Sequence, residues 1–262
     1  MIRPFFVLLL SQVFSLHIFA ASTASVLPSV LLKSWWLNTS NTGSIFHSKK
    51  GFKHLKFDNK KELVVAVIDS GIDFDHPFLK THRYSKKGKH KDFNFYSGTN
   101  KDSDLMDTQG HGTHVAGIIL ATIKRVNPKA NVKFISIKVL PDPQPSRQSL
   151  ATNKNIKRNK PENYGHYLKE ATNYLSTLKK KGVNLVAVNA SFGGPNKNDE
   201  ELKAIEHLVA NDIMLVAASG NDGQNTKEFY PGGYAALTPG VISVGNIGRN
   251  GDLSKTSNYG SV

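Results

Sequence analysis

The chain has 262 residues, 39% of them hydrophobic, and it contains no cysteine. This length suits one globular domain with a substantial core. Without cysteine, disulfide scaffolds, thiol catalysis, Cys-based zinc sites and iron–sulfur clusters are excluded. Lys and Arg number 34 against 20 Asp and Glu, which gives a formal net charge of +14. This charge favours non-specific binding to anionic surfaces, but no aromatic-interleaved basic motif accompanies it, and no nucleic-acid partner is expected.

The N-terminal residues have the pattern of a secretory signal peptide. An apolar run from Phe5 to Ala20 follows a basic residue and leads into small residues. Gln12 and His17 interrupt this run, which argues for a cleaved signal and against a membrane anchor. We therefore predict a signal peptide at 1–24 and a basic N-terminal arm at 25–61. The mature protein is expected to be secreted, periplasmic or extracellular, with no transmembrane segment after cleavage.

From residue 62 to 262, short apolar runs alternate with helical patterns. The run at 63–68 is rich in β-branched residues and is typical of a strand buried on both faces of a parallel sheet. Similar runs predict strands at 132–139, 185–188, 213–217 and 241–244. Apolar residues at helical spacing predict helices at 112–124, 164–181 and 199–210. This alternation predicts an α/β domain with a doubly wound, mainly parallel sheet and helices on both faces.

Local signals mark the ends of two of these helices. Three lysines followed by Gly182 predict the C-terminal end of the helix at 164–181. Asn198 with Glu201 three residues later resembles a capping box at the next helix start. The long polar connections at 80–107 and 141–163 are predicted to be surface excursions.

Parallel sheets bind ligands at the carboxyl ends of their strands, so the polar residues after each apolar run are the first candidates for a site. Asp69 ends the first strand in Val-Ile-Asp-Ser-Gly-Ile-Asp, and His111 opens the first helix in Gly-His-Gly-Thr-His-Val-Ala-Gly. The small residues Gly112, Ala116 and Gly117 are expected to let this helix approach the sheet closely. An Asp that orients a His base is the logic of a catalytic triad. Each motif alone is equally consistent with a buried structural Asp and a helix-start His.

Together, the two motifs closely resemble the Asp and His boxes of the subtilisin-like serine proteases, the subtilase or peptidase S8 family. The chain order Asp, His, Ser is that of subtilisin itself. Val188 to Gly194 resembles the strand that lines the specificity pocket, which implies substrate binding by Ser191, Phe192 and Gly193. Ala217 to Gly223 resembles the oxyanion-hole box, which implies that Asn221 is the oxyanion donor.

The resemblance implies a secreted serine endopeptidase that cleaves protein or peptide substrates through an acyl-enzyme. In this interpretation Asp69 orients His111, and His111 acts as general base and then as general acid. The family's nucleophile lies in a box similar to Gly-Thr-Ser-Met-Ala, which does not occur in this sequence. The chain is therefore expected to be C-terminally truncated, without a nucleophile and inactive by itself. The alternative is a non-catalytic, peptide-binding pseudoprotease or a gene remnant.

No metal or other cofactor is expected. Residues 122–128 reach the next strand without the Asn-rich loop that helps to hold calcium in many members of the family, so calcium is unsupported. His111 and His114 lack the Glu and the third ligand of known helical zinc motifs.

Overall fold

The protein is described from a computed structural model, which covers residues 60–140, 164–248 and 252–260. The predicted signal peptide, nearly all of the predicted arm and the connection at 141–163 lie outside these residues. Within them lies one six-stranded parallel sheet. Its strands are, in chain order, β1 (Leu63–Asp69), β4 (Phe93–Asn94), β5 (Val132–Lys138), β6 (Leu185–Ala190), β7 (Met214–Ala218) and β8 (Val241–Val244). Across the sheet they follow the order β4-β5-β1-β6-β7-β8.

Alternating side chains of these strands enter two separate apolar cores, one on each face of the sheet. On β1, Val64, Ala66 and Ile68 belong to one core, whereas Val65 and Val67 belong to the other. The first core packs against α3 (Tyr164–Lys180) and α4 (Asp199–Ala210), and the second against α2 (His111–Val126). The predicted doubly wound α/β architecture is therefore confirmed, and β1 lies inside the sheet with both faces covered.

The predicted end of α3 and the N-cap of α4 are both present. Gly182 has a left-handed φ of 86°, and its N–H donates to Lys179 O at 2.9 Å. Asn198 Oδ1 accepts from the N–H groups of Glu200 and Glu201 at 2.9 and 3.2 Å. In a complete capping box the Glu201 side chain would accept from the Asn198 N–H. Here the Tyr234 hydroxyl accepts that hydrogen bond instead, at 3.0 Å.

The connection at 80–107 lies mostly on the surface, as predicted, but it has more regular structure than the sequence indicates. It contains the hairpin β2 (Ser85–Lys86) and β3 (Lys89–His90), the edge strand β4, and the short helix α1 (Asp102–Leu105). Asp92 is buried and accepts from Arg83 Nε at 2.6 Å and Ser136 N at 2.7 Å. Strands of two residues are too short to leave a periodic pattern in the sequence.

Candidate active site

Asp69 and His111, separated by 42 residues in the chain, meet at the carboxyl edge of the sheet. Asp69 is fully buried at the end of β1, and His111 is the first residue of α2, with its side chain 48% exposed. His111 Nδ1 lies 2.7 Å from Asp69 Oδ1. A carboxylate can only accept, so Nδ1–H is the donor and the neutral ring keeps Nε2 as an acceptor. This arrangement orients the imidazole and leaves one ring nitrogen able to take a proton.

The electrostatics of this pair favour the imidazolium. The hydrogen bond to Asp69 raises the pKa of His111 above its ordinary value of 6.5, although partial burial opposes the shift. Asp69 Oδ1 also accepts from Ser70 N at 2.7 Å. Asp69 Oδ2 is buried and has no hydrogen-bond partner among the residues that the structure describes. The negative charge of Asp69 is therefore held close to the ring that would become positive.

The close approach of α2 to β1 requires a glycine at position 112. A Cβ there would overlap the carbonyl oxygen of Gly71 and touch Asp69 Cβ at 3.0 Å. Ala116 is fully buried, in agreement with the predicted close approach. Gly117 differs from the prediction, because a Cβ at that position would meet no atom within 4 Å. The close approach to the strand therefore requires a glycine at position 112, in the first turn of α2, but not at position 117.

Asp107, which sequence reasoning missed, organises the turn that leads into α2. Its Oδ1 accepts from Ser70 Oγ at 2.8 Å and from Gly110 N at 2.9 Å. Its Oδ2 accepts from Thr113 N at 2.9 Å and from Thr113 Oγ1 at 2.6 Å. Asp107 thus replaces a side-chain cap at Gly110, which has none, and connects the residue after Asp69 to the helix that carries His111. The signal in the sequence that could have found Asp107 is an Asp three residues before a glycine, a pattern typical of turns.

The three residues expected to bind substrate follow β6 and leave their backbone unpaired. Ile68 pairs with Ala190, so Asp69 and Ser191 occupy the next positions on adjacent chains. Ser191 is buried and its Oγ accepts from Asn189 Nδ2 at 2.6 Å, whereas Phe192 is half-buried and Gly193 is exposed. No backbone–backbone hydrogen bond within the described ranges involves residues 191–193. An extended segment beside them could therefore find free backbone groups to pair with.

Asn221 lies in the loop after β7, and its residue is exposed. β7 is separated from β1 by β6 alone, so Asp69 at the end of β1 and the loop that carries Asn221 lie at the same sheet edge, on either side of β6. Neighbouring strands are about 4.8 Å apart, which places the two strand ends roughly 10 Å from each other. The sheet order thus brings all the candidate residues to one edge.

The loop after α2 offers no obvious place for calcium. Lys124 Nζ donates to the carbonyl oxygens of Pro128 at 3.3 Å and Ala130 at 2.8 Å. These two oxygens already face an ammonium group, and a divalent cation beside it would be repelled.

In the described part of the chain, no group of three or more His, Asp or Glu side chains has the spacing of a metal site. Among the described helices, none combines the length and the hydropathy that a transmembrane span requires.

Comparison with known proteins identifies the family. Residues 60–262 match the Subtilase family. The chain is 30% identical over 203 residues to the major intracellular serine protease of Bacillus subtilis, covering 76% of this chain and 55% of that protein. It is 32% identical over 200 residues to an intracellular serine protease of Paenibacillus polymyxa, covering 74% and 52%. The chain therefore spans about half the length of these two curated relatives.

The fold agrees with this assignment. The crystal structure of a lanthipeptide protease superposes with a TM-score of 0.56 at 20% identity, covering 92% of this chain and 64% of that one. At this identity the likeness concerns the fold alone. The sequence match over 60–262 goes further, and the predicted family is confirmed: the chain belongs to the subtilase family of serine proteases.

Proposed function

We propose that this chain carries the acid–base pair and the oxyanion donor of a serine endopeptidase. The observation that carries the proposal is the 2.7 Å hydrogen bond between His111 Nδ1 and the buried Asp69, which leaves Nε2 as the base. In the family the attacking serine lies in a Gly-Thr-Ser box that follows the four segments found here, and this sequence contains no such box. The chain of 262 residues is then expected to be inactive alone.

The proposed reaction follows the geometry of the pair. His111 Nε2 removes the proton of the serine hydroxyl as its oxygen attacks the scissile carbonyl carbon. The imidazolium that forms is stabilised by Asp69 and then returns the proton to the leaving amine. The Asn221 amide donates to the carbonyl oxygen as that oxygen becomes negative; in subtilisin, one such donor is worth roughly 10²–10³ in kcat. Water hydrolyses the acyl-enzyme by the same proton transfers.

The substrate is proposed to bind as an extended peptide along residues 191–193. Their unpaired backbone supports this proposal, because main-chain hydrogen bonds to an added strand are a common mode of peptide recognition. Phe192, half-buried beside the first core, supplies apolar contact next to these groups. A substrate peptide methylated at a backbone nitrogen that faces residues 191–193 would lose one hydrogen bond. It should be cleaved with a lower kcat/KM than the unmethylated peptide.

The test compares the 262-residue chain with the reading frame that includes the downstream sequence. We expect only the longer protein to hydrolyse casein and to react with a fluorophosphonate probe. In the longer protein, His111→Ala should abolish turnover, whereas His114→Ala, an exposed histidine on the same helix turn, should retain it. The kcat/KM should rise as pH passes a pKa above 6.5, because the base must be neutral. Turnover by the short chain that the probe abolishes would refute the placement of the nucleophile.

We also propose that the protein is secreted after cleavage near Ala24. The apolar segment at 1–24 supports this proposal. The two named relatives carry the word intracellular in their names, so membership of the family does not decide the compartment. A fusion of residues 1–30 to a reporter enzyme should send the reporter into the medium or periplasm, with the mature N-terminus near Ser25. A reporter that stays uncleaved in the cytoplasm would contradict this proposal.

A further inference from the structure

The loop that carries Asn221 has no regular structure of its own to fix its shape. We call residues 219–225, between β7 and the 3-10 helix Thr226–Glu228, the oxyanion loop. Gly220 and Gly223 both have left-handed φ values, 104° and 64°. Asn221 itself is exposed. An exposed amide stabilises a transition state only if its direction is set beforehand, so something outside the loop must hold it.

One buried side chain from the C-terminal segment brackets Asn221. Asn258 is 2% exposed, and its Nδ2 donates to Ser219 O at 2.9 Å. Its Oδ1 accepts from Asp222 N at 2.9 Å and from Gln224 N at 3.0 Å. The three contacts lie on both sides of Asn221, two residues before it and one and three residues after it. A single amide therefore fixes the backbone that enters and leaves the oxyanion position.

The backbone of the same segment reinforces this contact. Asn258 N donates to Gly220 O at 3.0 Å, and Gly223 N donates to Thr256 O at 2.9 Å. A Cβ at Gly220 would overlap Asn258 Nδ2, so the glycine also makes room for the amide. Buried amide groups are expensive to leave unpaired, and Asn258 has partners for both its donor and its acceptor.

We propose that Asn258 is a positioning residue for the oxyanion donor, a role that rests on the proposed protease function. Only an amide can satisfy this place, because one atom must donate to Ser219 O while the other accepts from two N–H groups. An aspartate of the same shape would put an acceptor against Ser219 O. The repulsion would move the loop and turn the Asn221 amide away from the oxyanion.

The first experiment uses the longer reading frame that has protease activity. Asn258→Asp should lower kcat about 10²-fold and leave KM unchanged, since a misplacement of about 1 Å has an effect of this size. In an Asn221→Ala background, Asn258→Asp should lower kcat little further, because the donor it positions is gone. The matched control is Asn225→Asp, which adds the same charge within the oxyanion loop itself. Asn225 Oδ1 only accepts, from Lys227 N at 3.0 Å, and a carboxylate keeps that bond.

If the kcat losses of Asn221→Ala and Asn258→Asp multiply in the double variant, or if Asn225→Asp loses as much kcat as Asn258→Asp, the positioning role is overturned.

The second experiment does not depend on activity. Amide hydrogen exchange of the 262-residue chain should show protection at Asp222 and Gln224, whose N–H groups bond to a buried oxygen. Exchange at the rate of a free peptide would overturn the role even in an active enzyme. Protected amides, combined with a longer protein that has no activity, would instead refute the protease function and leave the loop contact standing.

Discussion

The replacement Glu201→Gln should raise the free energy of unfolding at alkaline pH and raise it less at acidic pH. Glu201 lies in the first turn of α4 and is 4% exposed. Burial raises its pKa from 4.5 to about 7, although a hydrogen bond with Tyr234 opposes the shift. The folded state therefore binds a proton that the unfolded state releases, and stability falls as pH rises from 4.5 towards 7.

The size of the effect follows from the shift. One pKa unit corresponds to 1.36 kcal/mol, so the charged carboxylate destabilises the fold by about 3 kcal/mol at about pH 8 and by about 1 kcal/mol at about pH 5. Glutamine resembles the protonated acid and removes this difference. Urea unfolding across this pH range should show the two proteins diverging with rising pH at equal m values. The matched control is Glu200→Gln, one residue earlier, where the exposed carboxylate contacts Lys169 and no divergence is expected. Parallel curves for Glu201→Gln and the unmodified chain would refute the raised pKa of Glu201.

Two further predictions concern the His111 site. By NMR titration, His111 should have a pKa above 6.5. Asp69→Asn should lower this pKa, because the hydrogen bond to the Asp69 carboxylate is the main cause of the raised value. An unchanged pKa in the variant would show that another group raises it. Gly112→Ala should destabilise the protein by about 1–3 kcal/mol, since its Cβ overlaps the backbone of Gly71, and should also lower the pKa of His111. Gly117→Ala on the same helix, with open space around it, should stabilise by about 0.5–1 kcal/mol; similar urea midpoints for the two variants would show that close approach at Gly112 does not limit stability.

The sequence predicts the parallel sheet from long hydrophobic patterns, whereas the meeting of Asp69 with His111 is implied by the resemblance of their two motifs to those of the subtilases. Continuous apolar runs define strands that are buried on both faces, and helical periodicity defines the elements between them. The carboxyl ends of such strands converge on one edge, which is where Asp69 lies at the end of β1. The structure agrees for Asp69 and His111, with 2.7 Å between their side chains.

The residues that hold these groups in place escape such reasoning. Asp107 accepts from Ser70 Oγ, and Asn258 Nδ2 donates to Ser219 O, so each makes a hydrogen bond to a residue distant in the chain. Hydrogen bonds of this kind have no sequence period, and an Asn or Asp in a loop looks the same whether it faces water or a buried carbonyl. The edge strand β4 is missed for a related reason, because its two residues pair with β5 without forming a hydrophobic run.

The contact of Lys124 with the carbonyl groups of Pro128 and Ala130 has a consequence for how the protein depends on its surroundings. An ion that diffuses in from solution stabilises a fold according to its concentration, and dilution or a chelator removes that contribution. Here the cation is attached to the chain by its own side chain, so its local concentration is set by covalent geometry. The turn between α2 and β5 therefore keeps these two contacts in media where free divalent ions are scarce.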